Sequence, residues 1–233
     1  EADPMEAVAT NVLGTQNVME AAVEAGVRRA VLISTDKACE PLNLYGATKM
    51  VLERLFGEAN GWGDTRFIAT RYGNVVGSTG SIVPIFREQL RQSGKVTVTD
   101  PAMTRFWLAP DDAVDLISDC ATLADGFGGA ILIPRPGAMK IGELAGLIAG
   151  EAPIDIIGPR AGEKMHESLV SDHESPRTHP LLRGGPIERM ILVPKQRAEA
   201  AEFRHCDPYS SDNPDFWIMP ADMLAMIEDA ATI

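Results

Sequence analysis

The run Ala30-Val31-Leu32-Ile33-Ser34-Thr35-Asp36-Lys37 joins a short apolar segment to a polar, reactive one. A continuous apolar run of this length is typical of a β-strand that is covered on both faces. In open α/β sheets, ligands bind just beyond the carboxyl ends of the strands. The sequence therefore predicts a buried strand at Ala30 to Ile33, with Ser34 to Lys37 presented to a ligand at its end.

Helical and strand patterns alternate on both sides of this run. Upstream, Asp3-Pro4-Met5-Glu6 has the N-cap, first-turn proline and acidic residue of a helix start, and Gly26 is placed to end that helix. The alternation predicts an α/β fold with a doubly wound, mainly parallel sheet. Downstream, we expect helices at about Tyr45 to Asn60, Ile82 to Arg91, Ile141 to Ala149 and Pro220 to Ala230, and a further helix capped by Asp111 or Asp112. We expect strands at Phe67 to Thr70, Val96 to Thr99, Ala130 to Ile133, Ile154 to Ile157 and Met190 to Val193.

Composition excludes several classes of function. The 233 residues are 45% hydrophobic and carry a net charge of −12, so the chain has enough apolar material for a large domain but no bulk basic surface for duplex nucleic acid. No apolar run is long enough to span a membrane, and we expect no membrane partner. The cysteines Cys39, Cys120 and Cys206 are odd in number and far apart, which favours a reducing cytoplasm over a disulfide framework. The four histidines fit no zinc spacing, so we expect no metal site.

Tyr45 and Lys49 form the second feature that bears on chemistry. Four residues apart on a helix, they lie on one face, and a nearby positive charge lowers the pKa of a phenol and makes it a usable base. By spacing alone, a solvated lysine beside a half-buried tyrosine is the commoner case. However, a strand that ends in Ser34-Thr35, a loop and then Tyr45-x-x-x-Lys49 at a helix start resembles the short-chain dehydrogenase/reductase superfamily. That resemblance implies a bound nicotinamide cofactor and transfer of a substrate hydroxyl proton.

Longer motifs are similar to those of the nucleotide-sugar 4,6-dehydratases that act on UDP-N-acetylglucosamine. The similarity covers residues 1 to about 170, and a tyrosine at position 45 resembles the soluble, C5-inverting enzymes of the pseudaminic acid pathway rather than the membrane-anchored, C5-retaining ones. The motifs are Leu32–Lys37, Asn43–Lys49, Arg71–Gly77, Met103–Trp107 and Gly162–Glu167.

The resemblance implies a role for each matched residue. Tyr45, helped by Lys49, removes the C4 hydroxyl proton; Lys37 then takes the C5 proton, and Asp36 protonates the departing C6 hydroxyl. Lys37 can act as a base only if its pKa is depressed, which desolvation and the charge of Lys49 are expected to supply. The implied catalytic residues are Thr35, Asp36, Lys37, Tyr45 and Lys49; the cofactor residues Ile33, Ser34, Tyr45, Lys49 and Val75; and the substrate residues Asn74, Thr79, Thr99, Arg105, Arg160 and Glu163.

The resemblance also implies partners and a domain division. We expect NADP, or alternatively NAD, as cofactor, UDP-N-acetylglucosamine as substrate, and a homo-oligomer formed through the helices at Met5 to Val23 and Tyr45 to Asn60. Residues 1–157 are expected to form a Rossmann-like core and residues 158–233 a smaller substrate lobe, with further substrate contacts from 74–105. No glycine-rich turn precedes Asp3, so this core is expected to be a fragment that lacks its first strands.

Three other functions stay open at this point. A UDP-sugar 4-epimerase needs the tyrosine and the lysine but no acid–base pair for dehydration. A C5-retaining 4,6-dehydratase shares most of the motifs. A non-catalytic sugar-nucleotide-binding module is favoured by the missing glycine-rich turn.

Overall fold

The computed structural model describes residues 3–181, 187–194 and 205–231. The chain forms two compact units, each assembled from three separate segments. Unit 1 consists of Glu1–Tyr72, Val114–Arg135 and Ser168–Tyr209, and unit 2 of Gly73–Ala113, Pro136–Glu167 and Ser210–Ile233. The expected division at residue 157 cuts the chain once, whereas the two units interleave along it.

Helices and strands alternate through most of the described chain. The strands are β1 (Arg29–Thr35), β2 (Arg66–Tyr72), β3 (Asn74–Val75), β4 (Val96–Val98), β5 (Thr104–Leu108), β6 (Ile131–Pro134), β7 (Ala138–Lys140), β8 (Ile154–Ile156), β9 (Ser168–Val170), β10 (Thr178–Leu181), β11 (Arg189–Leu192) and β12 (Tyr209–Ser210). The α-helices are α1 (Pro4–Ala7), α2 (Gly14–Glu24), α3 (Leu44–Glu58), α4 (Ile82–Ser93), α5 (Pro110–Phe127), α6 (Ile141–Ala149) and α7 (Pro220–Asp229).

Unit 1 contains a five-stranded sheet in the order β1-β2-β6-β11-β10. The first three strands are parallel, with Leu32 of β1 opposite Ala69 of β2, which confirms the predicted α/β fold with a parallel sheet. β11 and β10 extend it antiparallel. The predicted strand at Met190 to Val193 thus belongs to this sheet, and part of the last third of the chain packs in unit 1 rather than in a separate lobe.

The N-terminal helix starts and ends at the predicted residues but contains an irregular segment. The Asp3 carboxylate accepts a hydrogen bond from the Glu6 amide at 3.0 Å, and Gly26 adopts a left-handed conformation just beyond α2. Between α1 and α2 the chain is π-helical over Val8–Leu13, which the apolar spacing did not predict. Within this segment the Asn11 amide donates to Thr48 Oγ1 of α3 at 3.0 Å.

Unit 2 has its own small sheets and core. β3 pairs parallel with β5, β5 antiparallel with β7, and β4 parallel with β8. The predicted strands at Val96 to Thr99 and Ile154 to Ile157 therefore pair with each other and not with β1. β5 was not predicted, because all five of its residues are buried and it has no alternation of polar and apolar side chains.

The start of α5 differs from the prediction. The helix begins at Pro110, so Asp111 and Asp112 lie in its first turn and neither one is the cap. Proline suits the first helical position because it lacks the amide hydrogen that would find no partner there. Both carboxylates are still favourable, since the N-terminal end of a helix carries partial positive charge.

Candidate active site

The end of β1 turns sharply and presents Asp36 and Lys37. Thr35 caps a 3-10 turn over Asp36–Ala38, and its hydroxyl accepts a hydrogen bond from the Lys37 amide at 3.4 Å. The same hydroxyl donates to Asp36 Oδ1 at 2.9 Å, and Lys37 Nζ donates to that oxygen at 2.9 Å. The structure therefore brings Thr35, Asp36 and Lys37 together, as predicted from their place at the strand end.

Asp36 is unusual for an aspartate because its side chain is 0% exposed. Its second oxygen, Oδ2, is buried and has no hydrogen-bond partner within the described part of the chain. A buried carboxylate oxygen without a partner costs free energy. Asp36 Oδ2 is therefore a candidate for a contact with a bound ligand.

Helix α3 approaches the turn closely at Gly46. The Asn43 side chain caps the helix by accepting the Gly46 amide at 2.9 Å. A Cβ added to Gly46 would lie 2.2 Å from the Lys37 carbonyl oxygen. Glycine at this position lets the helix that carries Tyr45 and Lys49 pack against the backbone of Lys37.

Replacing Gly46 with alanine is expected to displace either the helix or the turn. The contact is with backbone, which cannot rotate away, so we expect unfolding free energy to fall by roughly 1–3 kcal/mol and activity to fall with it. Gly57→Ala is the matched control in the same helix, because its Cβ would meet the Gly129 carbonyl oxygen at an ordinary 3.7 Å. Urea denaturation should show Gly57→Ala to be neutral or slightly stabilised; equal stability and activity of the two variants would contradict this role for Gly46.

Tyr45 and Lys49 lie on one face of α3, beside the end of β1. Lys49 Nζ donates to the Ile33 carbonyl oxygen at 3.1 Å, and Tyr45 is 44% exposed. Burial raises the pKa of Tyr45, the charge of Lys37 opposes that rise, and Asp36 adds to it. The expectation of a lowered pKa is wrong for the protein alone, and the cation that acts on the phenol is Lys37.

The two cofactor candidates on β1 differ in accessibility. Ile33 is half-exposed, whereas Ser34 is buried and its hydroxyl donates to Glu53 Oε1 at 2.7 Å. The Ser34 hydroxyl is thus already hydrogen-bonded within the protein, so a cofactor would contact the backbone of Ser34. Sequence reasoning missed Glu53, although its position four residues after Lys49 placed it on the same helix face.

Three of the substrate candidates meet in unit 2. Glu163 Oε1 lies 3.7 Å from Arg105 Nη2 and accepts a hydrogen bond from Thr99 Oγ1 at 3.4 Å. Glu163 therefore lies between Arg105 and Thr99. The Arg105 guanidinium is buried and donates to the carbonyl oxygens of Thr104, Lys164 and Met165. Its binding of a diphosphate stays a prediction, because these contacts already occupy several of its donors.

The other substrate candidates are more exposed. Arg160 is exposed at a turn, where its amide donates to Glu163 Oε2 at 3.2 Å. Asn74 and Val75 form β3, and the Asn74 amide donates to the Phe106 carbonyl oxygen at 3.3 Å. Thr79 is exposed, and its side chain makes no hydrogen bond in the described ranges. The structure thus groups Thr99, Arg105, Arg160 and Glu163 and leaves Thr79 apart from them.

Over residues 3–181, 187–194 and 205–231, no three histidine, cysteine, aspartate or glutamate side chains are grouped so that they would hold a metal ion. Over the same ranges, no helix has the length and apolar content needed to cross a membrane.

Comparison with known proteins gives consistent matches. Residues 1–183 match the family described as polysaccharide biosynthesis protein. A Campylobacter jejuni protein named UDP-N-acetylglucosamine 4,6-dehydratase (inverting) is 40% identical over 240 residues, which cover 97% of this chain and 71% of that protein. The crystal structure of Pen from Bacillus thuringiensis has a TM-score of 0.86 and 32% identity, over 100% of this chain and 72% of that one. MoeE5 in complex with UDP-glucose and NAD has a TM-score of 0.60 and 26% identity, over 67% of this chain and 60% of that one.

Proposed function

The chain belongs to the polysaccharide biosynthesis protein family, and we propose that it is a lyase that removes water from UDP-N-acetylglucosamine with inversion at C5. The product is the 4-keto-6-deoxy sugar nucleotide. The single observation that carries this proposal is the Asp36–Lys37 pair, in which a fully buried carboxyl and an amine lie side by side at the end of β1. Oxidation at C4 needs only Tyr45 and Lys49, so an acid and a base beside them point to a second step.

The Asp36–Lys37 contact can supply both groups that dehydration requires. Moving one proton from Lys37 Nζ to the Asp36 carboxyl, across the 2.9 Å contact, converts the ion pair into a neutral amine and a carboxylic acid. The amine then takes the C5 proton, and the acid protonates the C6 hydroxyl, which leaves as water. Both residues return to their charged forms, so the pair is ready to exchange its proton again.

Tyr45 acts first, as the phenolate that the charge of Lys37 favours, and takes the C4 hydroxyl proton. The ketone formed at C4 makes the C5 proton acidic enough for Lys37 to remove. Once the hydrogen removed from C4 has been returned to C6, a water molecule protonates C5 from the face opposite Lys37, and this inverts that centre. Thr35 fixes the acid, because its hydroxyl donates to Asp36 Oδ1.

The residues at the end of β1 fit a nicotinamide dinucleotide. Lys49 Nζ has three hydrogens and uses one of them on the Ile33 carbonyl oxygen, and the Tyr45 hydroxyl makes no hydrogen bond within the described residues. These donors face the same side as half-exposed Ile33 and would hold the ribose and the nicotinamide. The bound nicotinamide supplies the reversible oxidation and reduction of the sugar. We propose NADP as the dinucleotide, with NAD as the alternative, and a fluorescence titration with each would distinguish them.

The proposal also assigns residues that bind the substrate and a place for the enzyme in the cell. We propose that Arg105, Arg160, Glu163 and Thr99 bind the UDP portion, which is supported by the family motifs and by their grouping in unit 2. Asn74 is added to them on the family motif alone. The enzyme would work in the cytoplasm as a homo-oligomer, at the first step toward pseudaminic acid.

The main alternative is a UDP-sugar 4-epimerase. Epimerisation leaves the mass of the sugar nucleotide unchanged, and it gives no task to a buried acid and base at positions 36 and 37. Protein expressed from the complete gene should be incubated with UDP-N-acetylglucosamine and the nicotinamide dinucleotide, and the products should be identified by mass spectrometry and NMR. Loss of one water with inversion at C5 supports the proposal; loss with retention indicates the retaining dehydratase; an unchanged mass with a new C4 epimer indicates the epimerase.

A further inference from the structure

A buried network of charged side chains includes Glu53 of α3, the helix that carries Tyr45 and Lys49. Glu53, Arg71 and Glu174 are each 8% exposed or less, and Arg71 is 1% exposed. Arg71 Nε and Nη2 donate to the two oxygens of Glu53 at 3.0 and 2.6 Å, and its Nη1 and Nη2 donate to Glu174 at 2.8 and 2.9 Å. Arg71 is therefore paired with a carboxylate on each side, as the planar fork of a guanidinium allows.

Glu53 connects this network to the end of β1 and to the helix face that carries Tyr45 and Lys49. Its Oε1 accepts the hydroxyl of Ser34, which stands two residues before Asp36 on the chain. On α3, Glu53 follows Lys49 by four residues and Tyr45 by eight, so the three side chains lie along one helix face. Glu53 thus joins Lys49, which bonds the Ile33 carbonyl oxygen, in tying the end of β1 to α3.

Glu174 holds the far end of the same turn. Its Oε2 accepts a hydrogen bond from Cys39 Sγ at 3.4 Å, and Cys39 directly follows the 3-10 turn that carries Asp36 and Lys37. Burial by itself would raise the pKa of Glu174, but the hydrogen bonds and charge of Arg71 outweigh it and lower the pKa to about 2. The Glu174 carboxylate is therefore charged at neutral pH, whereas the carboxylate that acts on Lys49 is Glu53.

Within the network, two carboxylates face one guanidinium, which leaves one negative charge in excess. Two further cations lie near these carboxylates, because Glu174 acts on Arg177 and Glu53 acts on Lys49. Burial lowers the pKa of Lys49, and the charge of Glu53 partly restores it. On the same helix face, Asp36 and Lys37 from the turn act on Tyr45, while burial and the neighbouring Tyr45 raise the pKa of Tyr72 in β2.

We infer that Glu53 is a positioning residue for the proposed reaction: it fixes the end of β1 against α3 through Ser34 and Arg71, and its negative charge stabilises the ammonium of Lys49. The catalytic consequence rests on the proposed function. Arg71 and Glu174 act one step further away, because they hold Glu53 and the turn in place without influencing Lys49.

Glu53→Gln and Glu174→Gln form a matched pair of variants for testing this inference. Each removes one carboxylate from Arg71 and keeps the side-chain shape, so both should lower the thermal unfolding midpoint. Only Glu53→Gln should change Lys49. The pH dependence of Lys49 acetylation by acetic anhydride, measured on the labelled peptide by mass spectrometry, is expected to shift to lower pH by on the order of half a unit in Glu53→Gln and to stay unchanged in Glu174→Gln.

Two results would overturn the inference. One is a Lys49 titration that is the same in Glu53→Gln as in the parent, and the other is an equal shift in both variants, which would indicate general loosening of the fold. In protein that turns over, Glu53→Gln should also lower kcat at least tenfold while KM changes by less than about threefold. The labelling needs no substrate, so a protein that shows the Lys49 shift but does not dehydrate UDP-N-acetylglucosamine disproves the proposed function and leaves the assignment of Glu53 intact.

Ser34→Ala keeps the inference testable if Glu53→Gln does not fold. This variant removes the hydroxyl that Glu53 accepts but leaves the Glu53–Arg71 pair unchanged. Hydrogen exchange read by mass spectrometry should then show faster exchange of the amides of residues 35–39, with the thermal midpoint close to that of the parent. Unchanged exchange over 35–39 would mean that Glu53 does not fix the turn.

Discussion

Replacing Tyr45 with phenylalanine is expected to lower kcat by about 10²- to 10⁴-fold, the usual contribution of a general base or acid. The substitution removes one oxygen, the atom that takes the C4 hydroxyl proton in the proposed reaction, and it leaves the ring in place. Binding of UDP-N-acetylglucosamine, measured by calorimetry, should change little. A loss that falls on kcat and not on binding is typical of an interaction made in the transition state.

Tyr72→Phe is the control for this prediction. Tyr72 is a half-buried tyrosine at the end of β2, and burial raises its pKa, as burial raises that of Tyr45. Removing its hydroxyl deletes the same atom from a residue with no proposed role in proton transfer, so kcat should stay near the parent value. Near-normal turnover of Tyr45→Phe would remove this tyrosine from the mechanism.

Replacing Asp36 with asparagine is expected to stop the loss of water and to spare the steps before it. Asparagine keeps the oxygen that accepts from Thr35 and Lys37, but it has no acidic proton for the C6 hydroxyl. Formation of the 4-keto-6-deoxy product should fall by about 10²- to 10⁴-fold. In deuterated water, NMR should still show exchange of the C5 proton, because Lys37 is still present and can lose its own proton to water instead of to Asp36, and removal of the C5 proton precedes the loss of water.

Lys37→Ala separates the base from the acid. If Lys37 removes the C5 proton, this variant should lose both C5 exchange and dehydration, whereas Asp36→Asn loses only dehydration. Equal C5 exchange in Lys37→Ala and in the parent would show that another group is the base. Normal dehydration by Asp36→Asn would show that another group is the acid.

The sequence predicted the local elements better than their assembly. The apolar run before Ser34 and the spacing of Tyr45 and Lys49 identified β1 and α3, because each signal depends on neighbours along the chain. The strands at Val96 to Thr99 and Met190 to Val193 were predicted, but not the sheets they join, since pairing depends on residues far away in sequence. The π-helical segment at Val8–Leu13 left no trace in the apolar spacing.

The sequence predicted where the candidate catalytic residues lie in the fold, but not their electrostatics. Residues 35–37, Tyr45 and Lys49 are brought together by the end of β1 and the start of α3, as the motif spacing indicated. The direction of the Tyr45 pKa shift was wrong, because the spacing showed a neighbouring cation and did not show how deeply the phenol is buried. Glu53, Arg71 and Glu174 were missed because their partners are separated by 18 and 103 residues.

The most direct test of the account follows one hydrogen through the reaction. In a 4,6-dehydratase that acts as proposed, the hydrogen on C4 of the sugar is removed in the first step and delivered to C6 after water has left. UDP-N-acetylglucosamine labelled with deuterium at C4 should therefore give a 4-keto-6-deoxy product that carries the deuterium at C6, as seen by NMR. Deuterium that stays at C4 of an epimer with no loss of water would contradict the proposal.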